Sequence, residues 1–317
     1  MPLRALPVEL IADADGLTLR RGCTTVRIDG ENAHEIVGAV LDLAEGGGMT
    51  EDELVGSFPA QTQESIRSLV VALRARRLLL PADAGCSSSA AESPLDVFYW
   101  HFGLPDEPSP APPRDELVVV AGRSRTAARL CELLGEAGFR ELAVVDEQAA
   151  LDERVPAVVA AVSESGFGPL RAWNELALER NVPFLPVAVE NLVAYVGPLV
   201  VPCETACFEC FLRRRYSNLD EAGAREAVEL RVGGAEVVGL HPAISAVAAG
   251  AAALELSKFF IPWRGAQQAG YLLTFNLLAS RYGRHRVLKV PRCPGCSSLR
   301  ARHPAAAVRL ELTSDAV

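Results

Sequence analysis

Long apolar runs are missing from this chain. The first sixteen residues hold none of signal-peptide length, which argues against secretion. The most apolar later stretch, 244–256, is short, rich in Ala and Gly and interrupted by Glu255. It reads as a buried helix rather than a membrane span, and the expected location is the cytoplasm. A basic excess is missing too. Lys and Arg number 31 against 40 Asp and Glu, for a net charge of −9 and a pI near 5.2. That balance excludes a general nucleic-acid binder and leaves room only for a local basic patch. Histidine is scarce: His34, His101, His241, His285 and His303 are all there are. None has a cysteine, serine or acid partner at motif spacing, so acid–base or nucleophilic catalysis finds no support.

What is present is enough for two ordinary domains. The 317 residues are 50% hydrophobic and 22% charged, a composition that folds around real cores. Residues 7–80 read as a small α+β unit. Strand-like runs lie at 8–12, 17–20 and 23–28, with turn residues Asp13, Asp15, Gly16 and Gly22 between them. Helices follow at 31–44, from Thr50 to about Phe58, and at 61–77; Thr50 and Glu53 form a capping box. Residues 78–81 leave as an extended tail. Segment 83–115 mixes a serine-rich stretch and a proline-dense stretch around the aromatic run 95–102. It reads as a linker whose aromatic part docks on a neighbour. From Glu116 the pattern becomes strand (117–121), glycine turn, helix (126–137) and strand (142–145), with the alternation continuing to 189. That is a parallel α/β sheet of the dinucleotide-fold type. The expected domains are therefore 1–82, a linker and docking segment at 83–115, and 116–317.

The cysteines carry the strongest chemical signal. Cys23, Cys86 and Cys131 stand alone, whereas Cys207 and Cys210, then Cys293 and Cys296, form two Cys-x-x-Cys pairs about eighty residues apart. Two such knuckles supply four thiolates to one tetrahedral Zn²⁺, a closed and therefore structural site. Cys203 beside the first pair could compete as a ligand but is expected to stay outside the site. The loop after the first parallel strand reads Gly122-Arg123-Ser124-Arg125-Thr126-Ala127. It lacks the repeated glycines that let backbone N–H groups approach a phosphate. Asp146 sits where a ribose-binding acid could lie. The run Arg213-Arg214-Arg215 is either an anion site or a solvated face.

Segment 197–218, GPLVVPCETACFECFLRRRYSN, the helix opened by His241-Pro242 and closed by Lys258-Phe259-Phe260, and VPRCPGC over 290–296 together resemble a family. It is that of the ThiF-like partner proteins of azole-forming ribosomal-peptide (RiPP) clusters, also called TOMM precursor leader peptide-binding or ocin-ThiF-like proteins. The resemblance covers nearly the whole chain. It implies an N-terminal PqqD-like winged helix, a RiPP recognition element, followed by a ThiF/MoeB-like Rossmann-type domain with a four-cysteine zinc. It further implies binding of a precursor's leader peptide and its delivery to a YcaO-type cyclodehydratase, with no catalytic residue in this chain. A homodimer fits the same picture, and neither nucleic acid nor membrane is an expected partner. Active adenylating relatives carry a glycine-rich loop, a downstream arginine and a metal-binding aspartate. This sequence departs at all three places, with Ser163-Glu164-Ser165 where the resemblance puts the aspartate, so no ATP is expected. The alternatives are an adenylating enzyme acting on a peptide carboxylate, and a peptide scaffold for another tailoring enzyme. The leader site is expected on the edge of the strand at 23–28. There Thr24, Val26 and Ile28 face one way and Thr25 and Arg27 the other. Beside it would lie a stripe of Arg67, Val71, Arg74 and Leu78.

Overall fold

The computed structural model describes residues 1–13, 15–30, 32–82, 93–105, 107–146, 155–190, 192–217, 222–231, 240–262 and 264–297. The chain divides into two compact units, Met1–Ala111 and Pro112–Val317. Among the described residues no helix is long and apolar enough to cross a membrane.

Among its described residues the first unit contains two small sheets and four helices. β2 (Glu9–Ala12), β3 (Gly16–Arg21) and β4 (Thr24–Asp29) form an antiparallel meander in that order. Leu17 and Leu19 alternate inward and are fully buried. Gly22, at φ +55°, makes the two-residue turn between β3 and β4, a conformation a side chain resists. The second sheet joins β1 (Pro2–Ala5) to β5 (Met49–Thr50) on one side and β6 (Leu79–Pro81) on the other. The expectation of three strands before three helices thus omits this sheet. Its strands are two to four residues long and pair across most of the unit, so no local turn signal announces them.

The helices α1 (Ala33–Glu45), α2 (Glu51–Gly56) and α3 (Gln63–Ala75) pack Val37, Val40, Leu54, Ile66, Val70 and Leu73 into one core. The capping box of Thr50 and Glu53 opens α2. The aromatic run forms α4 (Pro94–Trp100). Trp100 enters the same core, its Nε1 donating to the carbonyl of Arg77 at 2.9 Å, and Arg21 lies over its ring at 4.7 Å. The described part of segment 83–115 up to Ala111 accordingly belongs to this unit. The serine-rich stretch, with Cys86, lies mostly outside the described residues.

The second unit is built on a seven-stranded sheet in the order β13-β12-β11-β10-β9-β7-β8. β7 (Val118–Ala121), β8 (Leu142–Val145), β9 (Val158–Ser163) and β10 (Phe184–Glu190) run parallel. β11 (Val193–Val196), β12 (Tyr271–Asn276) and β13 (Arg281–Arg286) continue antiparallel. β7 and β9 are buried at every position, as strands covered on both faces must be. On one face α5 (Arg125–Glu136) and α9 (Pro242–Phe259) close the core. The small residues Ala248, Ala249 and Ala252 of α9 let it lie close to the sheet. On the other face α6 (Gly168–Glu179) and α7 (Phe208–Tyr216) pack Trp173, Phe208 and Phe211 against Phe167 and Phe184. Burying each such ring stabilises the fold by about 1.5–3 kcal/mol. α8 (Ala222–Glu229) and α10 (Gly265–Gln268) are peripheral and short.

Candidate metal centre and peptide-binding edge

The two Cys-x-x-Cys pairs meet. Cys207 is the N-cap of α7 and Cys210 lies in its first turn. Cys293 and Cys296 sit in the turns after β13. All four sulfurs lie within 4.8 Å of one another, close enough to hold one metal ion. The Sγ–Sγ distances are 3.8 Å for Cys207–Cys210, 3.7 Å for Cys207–Cys293 and 3.6 Å for Cys210–Cys296. Cys207, Cys210 and Cys293 are fully buried. The Cys207–Cys210 hydrogen bond pushes the Cys207 thiol up and the Cys210 thiol down. The N–H of Val290 donates to Cys210 Sγ at 3.4 Å. Cys203 is not in the cluster; its contribution is a carbonyl that accepts from Lys289 Nζ at 2.7 Å. Cys23 and Cys131 remain apart as free thiols.

A polar wrapping that the sequence did not announce fixes these knuckles. Glu209, inside the first pair and 6% exposed, is bound by Arg171 of α6 at 3.0 Å and Arg213 of α7 at 3.0 Å. Arg214 donates to the carbonyls of Leu288 and Lys289 and so ties α7 to the second knuckle. Arg215 makes a bidentate pair with the buried Glu229, at 2.8 and 2.7 Å, and lies over the rings of Phe167 and Tyr195. Arg213 and Arg214 are exposed, as a solvated face would be, yet each of the three guanidiniums has a different structural partner. A cavity of about 670 Å³ opens beside it, lined by Arg171, Glu209, Arg213 and Tyr216.

The loop from β7 to α5 is closed from within. Gly122 takes φ +117°, and a Cβ there would meet the carbonyl oxygen of Val162 at 2.5 Å. Ser124 caps α5 by accepting from the N–H of Ala127 at 3.1 Å. Glu164 Oε1 accepts from both the N–H and the hydroxyl of Thr126, at 3.0 and 2.6 Å. Asp146 is ion-paired with Arg123. The helix N-terminus and the acid that a nucleotide would address are thus both engaged by this chain's own side chains. Glu164 is a helix-capping residue that the sequence could flag only by its place after a parallel strand.

Of the residues expected at the peptide site, Thr24, Thr25, Val26, Arg27 and Ile28 all lie in β4, which among the described residues pairs with β3 alone. Gly30 donates to the carbonyl of Asp15 at 3.1 Å. Backbone directions alternate along an antiparallel strand, so the N–H groups of Thr25, Arg27 and Asp29 point to the open side. Those three residues are exposed, while Thr24, Val26 and Ile28 are half-buried on the core side. Arg27 is held by Asp13 and Asp29. The helix stripe needs correction. Leu78 is 1% exposed and belongs to the core. Helix α3 ends in a Schellman turn with Arg77 at φ +59° and the N–H of Leu78 bonded to the carbonyl of Leu73, which swings Leu78 inward. Arg74 pairs with Glu51 at 2.7 Å and Arg67 with Asp52 at 3.1 Å, so the first turn of α2 neutralises both. Val71 alone of the stripe is an exposed apolar residue, at 54%. The main neighbours of α3 are α2 and β6, and that of β4 is β3.

No family model and no curated protein sequence matches this chain. Solved structures do. The heterocyclase TruD superposes with a TM-score of 0.65 at 21% identity, covering 93% of this chain and 42% of TruD. A heterocyclase in complex with substrate and cofactor gives 0.65 at 20% identity, over 93% of this chain and 40% of that one. E. coli MccB with AMPCPP and MccA gives 0.65 at 14% identity, over 93% and 99%. The chain thus shares its fold with these proteins. It spans about two fifths of the heterocyclases' length and nearly all of MccB's.

Proposed function

We propose that this chain is a leader-peptide-binding partner protein of ribosomal-peptide azole biosynthesis, presenting a precursor to a YcaO-type cyclodehydratase and performing no chemistry itself. The observation that carries the reading is the open edge of β4. An extended peptide laid along it would pair with the backbone of Thr25, Arg27 and Asp29, taking affinity from main-chain hydrogen bonds and selectivity from neighbouring side chains. Of the helix residues, Val71 supplies an apolar contact, while Arg67 and Arg74 with their acids form a neutral rim. Binding of this kind raises the effective concentration of the core peptide at the partner's active site. The heterocyclase neighbour with its substrate and the MccB neighbour with MccA support a peptide as the ligand.

The four thiolates fit zinc. A Zn–S bond of about 2.3 Å gives a tetrahedron with sulfur edges of about 3.8 Å, and the three measured edges are 3.6, 3.7 and 3.8 Å. Cys207, Cys210, Cys293 and Cys296 would hold the ion with no position left for water, so its role is to join α7 to the segment after β13. ATP is not part of the reading: the loop lacks the glycines that phosphate approach needs, and Glu164 already accepts from Thr126 at the start of α5. The test is a fluorescence-polarisation titration of the full chain with the cognate leader, followed by reconstitution with the cyclodehydratase. Leader binding with azoline formation only in the joint mixture supports the reading. Pyrophosphate exchange by the chain alone would replace it with peptide adenylation.

A further inference from the structure

The sheet of the second unit has a longer open edge than the four-residue β8. It is β13, six residues paired with β12 along its length and with no other strand among the described residues. Val287 donates back to the carbonyl of Gly270 at 2.9 Å. By the alternation of antiparallel pairing, the N–H and C=O groups of Tyr282, Arg284 and Arg286 face outward. Their side chains share one face, where Tyr282 packs edge-on to Phe275 and Arg284 lies 3.5 Å above the ring of Tyr271.

Charge on this edge runs against the rest of the molecule. Between Glu255 and Glu311 the sequence carries ten Lys and Arg and no Asp or Glu, in a chain whose net charge is −9. Arg281, Arg284, Arg286, Lys289 and Arg292 lie in or just after β13. Among the described residues the side chains of Arg281 and Arg286 make no ion pair or hydrogen bond. Exposed Leu278, Tyr282 and Leu288 flank them.

Charged side chains on an edge strand commonly guard against indiscriminate pairing. A guard of one sign admits strands of the other. We propose that the β13 edge docks an extended acidic segment of a partner protein, which adds as an eighth strand. Acids at every second position of that segment would meet Arg284 and Arg286, and its backbone would pair with the outward groups. A nucleic acid would use the arginines but has no use for an open ladder, so the combination favours polypeptide.

The experiment titrates the full chain with a fluorescein-labelled peptide of alternating Glu and Val. Alongside run its Lys–Val counterpart, a copy N-methylated at alternate residues, and a short oligothymidine. The Glu–Val peptide is expected to bind, and the Lys–Val peptide not to. N-methylation of the peptide, the Arg284→Glu/Arg286→Glu pair, and Tyr282→Pro should each weaken binding about tenfold or more. Tyr282→Pro removes an outward donor without breaking the β12 ladder. Circular dichroism and metal content report whether the variants fold, and the N-methylated peptide tests the ladder with no change to the protein. Failure of the Glu–Val peptide to bind, equal affinity for the N-methylated copy, or tighter binding of oligothymidine would each overturn the proposal.

Discussion

Glu164 and Thr126 stand 38 residues apart, and one carboxylate oxygen of the first accepts both the N–H and the hydroxyl of the second. Thr126 is fully buried at the start of α5. The anionic group that the first turn of this helix attracts is therefore supplied by the β9–α6 loop of the same chain. The loop sequence alone argued against nucleotide by missing glycines; the geometry adds an occupant.

Removing that occupant should cost stability and yield no nucleotide binding. Glu164→Ala leaves two buried donors unpaired, a loss of about 1–3 kcal/mol. Chemical denaturation should report a lower midpoint for the variant. Calorimetry with ATP and Mg²⁺ should show no micromolar binding for either protein, since Ser124 and Arg125 still stand where glycines would be needed. Micromolar ATP affinity in the unchanged chain would refute the non-adenylating assignment.

The metal prediction follows from the closed cluster. Elemental analysis of the purified chain should give one zinc per molecule. Cys293→Ser should lose it and melt at lower temperature, because ion binding here is folding energy rather than chemistry. Cys203→Ser should keep it, since that thiol lies outside the cluster. A metal-free but equally stable Cys293→Ser protein would show that the four thiols do not bind structurally.

These two sites differ in how far the sequence exposes them. Paired cysteines are readable because short spacing itself makes a chelate, and β7, β9 and β10 are readable because strands covered on both faces are continuously apolar. The β5-β1-β6 sheet is not, because its strands are too short to show a period. The three partners of Arg213, Arg214 and Arg215 are not, because each arises from a different tertiary contact. Leu78 was misplaced by carrying helical spacing past Arg77, where a left-handed residue ends the helix without the usual glycine.

The exposed pair on β4 has a pH signature. The hydrogen bond from Arg27, with that from the N–H of Asp15, holds the Asp13 carboxyl down at about 2, against an ordinary 3.8. A depressed acid contributes its full stabilisation above the ordinary value and loses it as pH falls through the folded one. The pair should therefore be intact at pH 5 and released between about pH 4 and 2. NMR titration of the Asp13 carboxyl should find the low midpoint, and Arg27→Ala should return it toward 3.8. A midpoint unmoved by that substitution would mean Arg27 does not hold Asp13 in solution.

The leader site yields the sharpest prediction, because backbone and side-chain contributions can be separated on one strand. The N–H of Thr25 faces the open side of β4 and takes no part in the ladder to β3, so Thr25→Pro removes a donor from the edge while leaving the meander paired. If the leader adds as a strand, this variant should bind it more weakly by at least ~1.4 kcal/mol, or about tenfold. Thr25→Val keeps the N–H and changes only an exposed side chain, so it should bind within about threefold of the original. The Arg67→Gln/Arg74→Gln pair should also stay within about threefold, because Glu51 and Asp52 already neutralise both guanidiniums. Zinc content and circular dichroism should be unchanged throughout. Equal leader affinity for Thr25→Pro and Thr25→Val would remove strand addition at β4. A large loss confined to the arginine pair would move the site onto α3 instead.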